Sequence, residues 1–419
     1  MSKKDTNITI TNFPEEIDEL NCIKIYGETS YENHLAVLSQ FLHNNGNYYS
    51  LTKEQKNVII SAILDFLKHK KKTNPDINVT EDNAIIAAEN PVQYNLFSDF
   101  YNVPFPNPIK GIHTLVDLFA GIGGIRLPFN ELGYKCVFSS EWDKHAQRTY
   151  FANFGEMPFG DITKESTKRF IPEHFDLLLA GFPCQAFSIM GKMKGFDDTR
   201  GTLFFDVASI VEKHKPQAIL LENVKQLTTH DHGRTFSTIL RVLKELGYHV
   251  KWKVLNALDF GLPQKRERVI IVGFRKQEQI EAFNFDFKKM PYTLEGLLEK
   301  DEDVDQSLFA SDMILEKRKK QTMGKEIFYP SIWHENKAGN VSVLNYACAL
   351  RTGASYNYLL VNGIRRPSSR ELLRLQGFPD NYRIAVSHGE IRRQTGNSVA
   401  VPMIRQIAKK IDNILNNFK

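Results

Sequence analysis

Between residues 111 and 274, short apolar runs alternate with amphipathic stretches, and this rhythm constrains the chain more than any other feature. Runs such as Leu177-Leu-Leu-Ala180 and Val269-Ile-Ile-Val272 have strand length and are bounded by turn or polar residues. Strands alternating with helical patterns predict an α/β fold built on a doubly wound sheet. Sheets of that kind bind ligands beyond the carboxyl ends of their strands. Residues that directly follow the apolar runs are therefore the first candidates for function.

One such run, Asp176-Leu-Leu-Leu-Ala180, leads into Gly181-Phe-Pro-Cys184-Gln-Ala-Phe-Ser188. It places the Cys184 thiol at a strand mouth. Cysteine is among the most often buried and inert residues, so the thiol is judged by its company. Upstream, Val116-Asp-Leu-Phe119-Ala-Gly121-Ile-Gly123-Gly124-Ile-Arg126 is a strand end that turns through three glycines into a helical pattern. Gly residues permit a sharp turn and close backbone approach to a ligand. The spacing is not Gly-x-Gly-x-x-Gly and no Gly-Lys-Ser/Thr follows, which excludes a phosphate-cradling P-loop. One strand later, Glu141 is placed to meet a ribose hydroxyl pair, and Trp142 offers a flat face for adenine. Asp161, in Gly160-Asp-Ile-Thr163, is a candidate acceptor for an adenine amino group. Glu222 closes another apolar strand in Leu220-Leu-Glu-Asn-Val224, and Arg266 and Arg268 alternate along Arg266-Glu-Arg-Val-Ile-Ile-Val272, which predicts a shared face.

These segments, with Gly201-Thr-Leu203-Phe-Phe-Asp206, Gln264-Lys-Arg-Glu-Arg-Val269, Arg370-Glu-Leu-Leu-Arg-Leu-Gln-Gly-Phe-Pro379 and Gln394-Thr-Gly-Asn397-Ser-Val399-Ala-Val-Pro402, form nine ordered blocks. In that order the chain from Leu115 to Ile411 resembles the bacterial DNA (cytosine-5) methyltransferases of type II restriction–modification systems. The resemblance implies a Rossmann-like methyltransferase sheet, a smaller irregular target-recognition domain and, in this chain, an N-terminal helical extension. It implies S-adenosylmethionine as methyl donor and double-stranded DNA as substrate, with a flipped-out cytosine.

Cytosine C5 is too weak a nucleophile to take a methyl group unaided. A thiolate adding at C6 loads electron density onto C5, and a proton at N3 relieves the resulting charge. By resemblance Cys184 is the nucleophile and Glu222 the N3 partner, for which a raised pKa is expected. Arg268 helps hold the cytosine carbonyl oxygen, and Arg266 supports the backbone of the site. Phe119, Gly121, Gly124, Glu141, Trp142, Asp161, Pro183, Leu203, Asn397 and Val399 are the implied donor-binding set. Residues 185–202 read as a lid with glycine hinges, in which Ser188 and Lys192 face the DNA backbone.

The four cysteines, Cys22, Cys136, Cys184 and Cys348, are scattered, so neither a zinc site nor a disulfide framework is indicated and no metal is expected. The net charge of +5 says little about nucleic acid, but nine arginines stand against three acids between Arg351 and Arg405. Arginine suits phosphate and guanine recognition.

Five segments are expected. Residues 1–75 hold two amphipathic helices, the second opened by the capping box Thr52-Lys-Glu-Gln55. Residues 76–110, with Asn90-Pro91 and Pro104-Phe-Pro106, read as a linker. Residues 111–274 are the catalytic domain, 275–366 the recognition domain and 367–419 a segment completing the catalytic domain. Asn345, Tyr346, Arg351, Thr352, Ser355, Tyr356 and Asn357 are candidate base and phosphate readers. No apolar run approaches membrane-spanning length, and the polar N-terminus lacks a signal-type apolar core. The expected setting is the bacterial cytoplasm, close to the nucleoid. A monomer is expected, paired functionally but not physically with a restriction endonuclease. Two other readings stand beside this one: an RNA cytosine-5 methyltransferase, and a DNA-binding regulator acting through the N-terminal helices.

Overall fold

The computed structural model describes residues 31–43, 48–75, 77, 79–91, 97–183 and 203–418. Its centre is a six-stranded sheet. Its strands in chain order are β1 Thr114–Leu118, β2 Lys135–Ser140, β3 Leu177–Ala180, β4 Ala218–Val224, β5 His249–Asn256 and β7 Glu267–Phe274, with the short β6 Gln264–Lys265 lying outside it just before β7. The sheet order is β2-β1-β3-β4-β7-β5. β1 to β4 pair in parallel, whereas β7 runs antiparallel to both β4 and β5. The expected doubly wound sheet is thus present, with one reversed strand. A single parallel bridge, Ser140 with Phe159, extends the β2 edge.

Strand residues alternate between two cores, as a period of two requires. Val116, Leu118, Leu178, Ile219, Leu221 and Ile271 face one. Leu115, Leu177, Leu179, Leu220, Ile270 and Val272 face the other. The helices Leu203–His214 and Arg234–Glu245 cover the first face. The final helix, Val401–Asn417, covers the second with Met403, Ile404, Ile407 and Ile411.

The N-terminal helices pack on the first face. Helix Tyr31–His43 buries Leu35, Leu38, Phe41 and Leu42, and helix Lys53–Lys71 starts from the expected Thr52/Gln55 capping box. Polar contacts fix the first helix in place. Gln40 Nε2 donates to Phe170 O at 2.9 Å, His43 Nε2 to Gly155 O at 2.9 Å, and the Met157 N–H to Ser39 Oγ at 3.1 Å.

The linker expected at 76–110 contains a helix, Glu81–Glu89, N-capped by Thr80. It buries Ala84, Ala87 and Ala88, and beyond it Phe97 stacks on Phe66 while Phe100 packs against it at a tilt. Its apolar stripe is made of alanines, which carry little periodic contrast. Of the prolines, Pro91 marks where the helix stops, directly after its C-cap Asn90.

Within residues 275–366, β8 Ile332–Glu335, β9 Val341–Leu344 and β11 Leu359–Val361 form an antiparallel sheet ordered β11-β8-β9. It closes over a small core of Ala310, Trp333, Val341 and Leu360. The expected irregular stretch is therefore a small sheet, concealed by strands of three or four residues. β10 Ala347–Cys348 pairs with β6, tying this part to the catalytic sheet. Phe283 and Phe285 pack in the second catalytic core, so the residues just after 274 belong structurally with the sheet. Among the described residues, no helix is long and apolar enough to cross a membrane.

Candidate active site

Four parallel strands open their carboxyl ends onto one cleft of about 700 Å³. β1 delivers Phe119 and Gly121, β2 delivers Glu141, Trp142 and Asp143, β3 delivers Gly181 to Pro183, and β4 delivers Glu222 and Asn223. Asp161, Leu203, Arg268, Arg393, Gln394, Gly396, Asn397 and Ser398 also line it.

The glycine turn after β1 is bent sharply. Phe119 has φ of 54° and Gly121 of 55°, both in the left-handed region. A non-glycine residue held there is strained, and such strain gathers at ligand sites. A Cβ on Gly121 would meet no protein atom within 4 Å, so this side of the turn stays open to the cleft. Gly124 differs. A Cβ there would stand 2.8 Å from Ser398 Oγ and 3.0 Å from Val399 Cγ2. Gly124 and Val399, both expected to touch the donor, do not line the cleft. They let the C-terminal block pack against the turn, and Val399 is buried in the core.

Glu141 is locked by two backbone donors, Gly121 N to Oε2 at 2.8 Å and Asp143 N to Oε1 at 2.8 Å. Burial pushes its carboxyl above the ordinary value, and those donors pull it back. Trp142 beside it is 79% exposed, an unusual state for so large an apolar ring. Asp161 Oδ1 accepts from Thr163 N and Oγ1, at 3.0 and 2.8 Å, leaving Oδ2 without a partner of its own from that turn. An apolar ring, a buried acid and a second acid along one wall suit the adenosine of S-adenosylmethionine, and the open space at Gly121 suits close approach of a ligand.

At the other end stands Glu222, 7% exposed. Burial raises its pKa, and Arg268 and then Arg266 oppose that rise. Arg268 Nε lies 2.8 Å from Glu222 Oε1, yet that oxygen receives no well-aligned hydrogen bond among the described residues. The carboxyl therefore retains hydrogen-bonding capacity. Asn223 Nδ2 donates to Phe182 O at 2.8 Å, tying the exit of β3 to β4. A Cβ on Gly181 would stand 3.6 Å from Glu222 Oε2, so the loop leading to Cys184 passes directly by this acid. Cys184, Ser188, Lys192 and the rest of the expected lid lie outside the described residues.

Arg266 and Arg268 separate in role. Regular β7 begins at Glu267, and Arg266 sits before it at 1% exposure, away from the cleft. Its guanidinium donates to Leu350 O at 3.1 Å, Gly396 O at 3.0 Å and Ser398 O. It clamps the strand end to Leu350 and to the C-terminal block.

None of the candidate DNA readers lines the cleft. Tyr356 is half exposed, with the Arg366 guanidinium 4.3 Å and that of Arg392 5.2 Å from its ring centre. Arg351 lies over the Tyr358 ring at 5.2 Å. Thr352 packs its backbone on Gly396, where a Cβ would stand 2.8 Å from Thr352 N. Asn357 Oδ1 accepts from Arg366 Nη1 at 3.0 Å, and Ser355 O accepts from Arg392 Nη2 at 2.7 Å. Both are thus engaged within the protein. Tyr346 meets Tyr292 edge-on at 6.2 Å.

Sequence reasoning passed over Asp143, Asn223, Arg393 and Gln394 as site residues. Asn223 sits inside a recognised block, so its neighbour Glu222 was the available signal. Arg393 and Asp143 find each other only in three dimensions.

Known proteins agree with this geometry. A family model described as C-5 cytosine-specific DNA methylase matches residues 113–413. The type II methyltransferase M.HaeII of Haemophilus aegyptius is 56% identical over 307 residues, covering 73% of this chain and 94% of that protein. M.HpaII of Haemophilus parainfluenzae is 44% identical over 360 residues, covering 81% of this chain and 99% of its own. A putative DNA modification methyltransferase from an E. coli prophage shares the fold with a TM-score of 0.53 at 22% identity, over 73% of this chain and 100% of that one. The chain belongs to the C-5 cytosine-specific DNA methylase family and is an S-adenosylmethionine-dependent, sequence-specific DNA cytosine-5 methyltransferase similar to the bacterial type II enzymes.

Proposed function

We propose that the chain methylates one cytosine within a short duplex target by covalent catalysis from Cys184, with Glu222 as the proton partner at N3. The observation that carries this reading is the joining of the β3 exit, which leads to Cys184, to the Glu222 strand through Asn223 and Phe182. The Cys184 thiolate adds to C6 of the flipped cytosine while Glu222 shares its proton with N3, so electron density reaches C5. S-adenosylmethionine supplies the methyl group. The C5 hydrogen then leaves as a proton and the C6–sulfur bond breaks. Glu222 must enter protonated, and its burial favours that form. Arg268, beside Glu222, holds the base's carbonyl oxygen. Glu141, Trp142 and Asp161 hold ribose and adenine, with Phe119, Gly121, Pro183, Leu203 and Asn397 completing the donor's surroundings.

Target recognition belongs to the segment around β8, β9 and β11, with Arg351, Thr352 and Tyr356 at its junction with the catalytic sheet. The N-terminal helices act as a brace for the wall that carries Asp161, because Ser39 and His43 bond to the backbone of Met157 and Gly155 just before it. The chain works as a monomer in the bacterial cytoplasm and protects host DNA from a partner endonuclease with which it forms no stable complex. Cys184→Ser tests the mechanism. The variant should bind target DNA and donor near wild-type affinity and transfer no methyl group. Methylation at the wild-type rate would remove Cys184 as the nucleophile.

A further inference from the structure

Two wall segments of the donor cleft that are remote in sequence meet in one ion pair. Arg393 Nη2 lies 2.7 Å from Asp143 Oδ2, and both residues line the cleft. Each end is built in. Asp143 Oδ1 accepts from Ala146 N at 2.8 Å, capping the helix Lys144–Phe154, while the Asp143 N–H holds Glu141 Oε1. Arg393 belongs to the helix His388–Asn397, whose preceding residue Arg392 anchors to Ala354 O and Ser355 O at 2.6 and 2.7 Å. Arg393 also contacts Glu390, one helical turn away, at 2.6 Å.

We propose that Arg393 is a positioning residue for the methyl donor: through Asp143 it ties the C-terminal wall to the wall bearing Glu141 and Trp142, and so sets how tightly the cleft holds S-adenosylmethionine. The inference rests on reading this cleft as the donor site. The pair is a latch rather than a lock. Its side chains are 44% and 26% exposed, so solvent and salt weaken it. Such strength suits a cleft that must exchange its donor for the demethylated product at each turnover. A buried pair would resist opening, whereas deeper in the same two helices are already joined by Thr149 Oγ1 donating to Gln394 Oε1 at 3.0 Å, so the exposed pair governs the mouth of the cleft.

The test is donor affinity measured calorimetrically on the full chain, for wild type, Arg393→Gln, Asp143→Asn and the double variant, at low and high salt. Asparagine still caps the helix, and Glu390 still accompanies Arg393, so Asp143→Asn removes the latch without stranding a charge. Each single variant should weaken donor binding by about two- to five-fold at low salt. The double variant should be no weaker than either single one. Salt should weaken wild-type binding more than that of the variants, and Arg393→Lys should recover part of the loss. A loss in Arg393→Gln with none in Asp143→Asn would overturn the latch and place Arg393 on the donor itself. Glu141→Ala serves as the control. If it leaves donor affinity unchanged, the cleft assignment falls and the latch with it. If it weakens binding while neither latch variant does, only the latch falls.

Discussion

Replacing Arg266 by methionine separates a clamp from a group that acts on the base. The side chain is buried at 1% exposure and donates to three carbonyls, those of Leu350, Gly396 and Ser398. Methionine keeps much of the apolar stem and removes every donor. Three buried acceptors then lose their partner. Each such loss costs about 1–3 kcal/mol, partly offset because a buried charge is removed as well. A net loss of about 3–5 kcal/mol follows, a large fraction of the 5–15 kcal/mol typical of a folded domain. The assay is urea unfolding followed by tryptophan fluorescence and circular dichroism, with the midpoint and slope compared to wild type. Arg266 also holds the Glu222 carboxyl down, so its removal should let Glu222 keep its proton to higher pH. Surviving Arg266→Met protein should therefore lose activity at a higher pH than wild type. A stability change below about 1 kcal/mol, the size of a surface substitution effect, would refute the clamp.

Glu222→Gln should slow single-turnover methyl transfer by about 10²–10⁴-fold, the usual contribution of a positioned acid. Wild-type activity should fall as pH rises through the raised Glu222 pKa, because only the protonated form serves N3, and an unchanged rate in the variant would remove that role. Exchanging residues 275–365 for those of a relative with another target should transfer specificity, as read by protection of plasmid DNA; retention of the original target would locate recognition elsewhere. Burial lowers the His43 pKa below its ordinary 6.5, so the neutral ring is the form the fold accepts. Its contribution is complete above pH 6.5 and declines as pH falls toward the folded value, by at most about 1.4 kcal/mol per pH unit. His43→Gln should flatten the stability profile between pH 7 and 5, and an identical slope in both proteins would exclude His43 as the source.

The strands and most of the cleft were legible because their signals are local. Apolar runs such as Leu177–Ala180 end in Gly181-Phe-Pro183, and the acids Glu141 and Glu222 stand directly at strand ends. Features that depend on distant partners were not. The carbonyls that bind Arg266 lie 84 and 130 residues away for Leu350 and Gly396, so its adjacency to Arg268 suggested a shared face while packing gave it other partners. Gly124 reads like Gly121 in a glycine turn, but only the fold shows that Ser398 and Val399 occupy the space its missing Cβ leaves. The helix Glu81–Glu89 escaped because an alanine stripe has weak hydrophobic contrast, and the prolines nearby suggested a linker. The small sheet of β8, β9 and β11 escaped because its strands are too short to show a period.

The most direct measurement is bisulfite sequencing of plasmid DNA from cells expressing the chain, beside cells expressing Cys184→Ser. The account predicts protected cytosines at one short motif with the wild type and none with the variant. Equal protection in both, or no protection from folded, donor-supplied wild type, would contradict it.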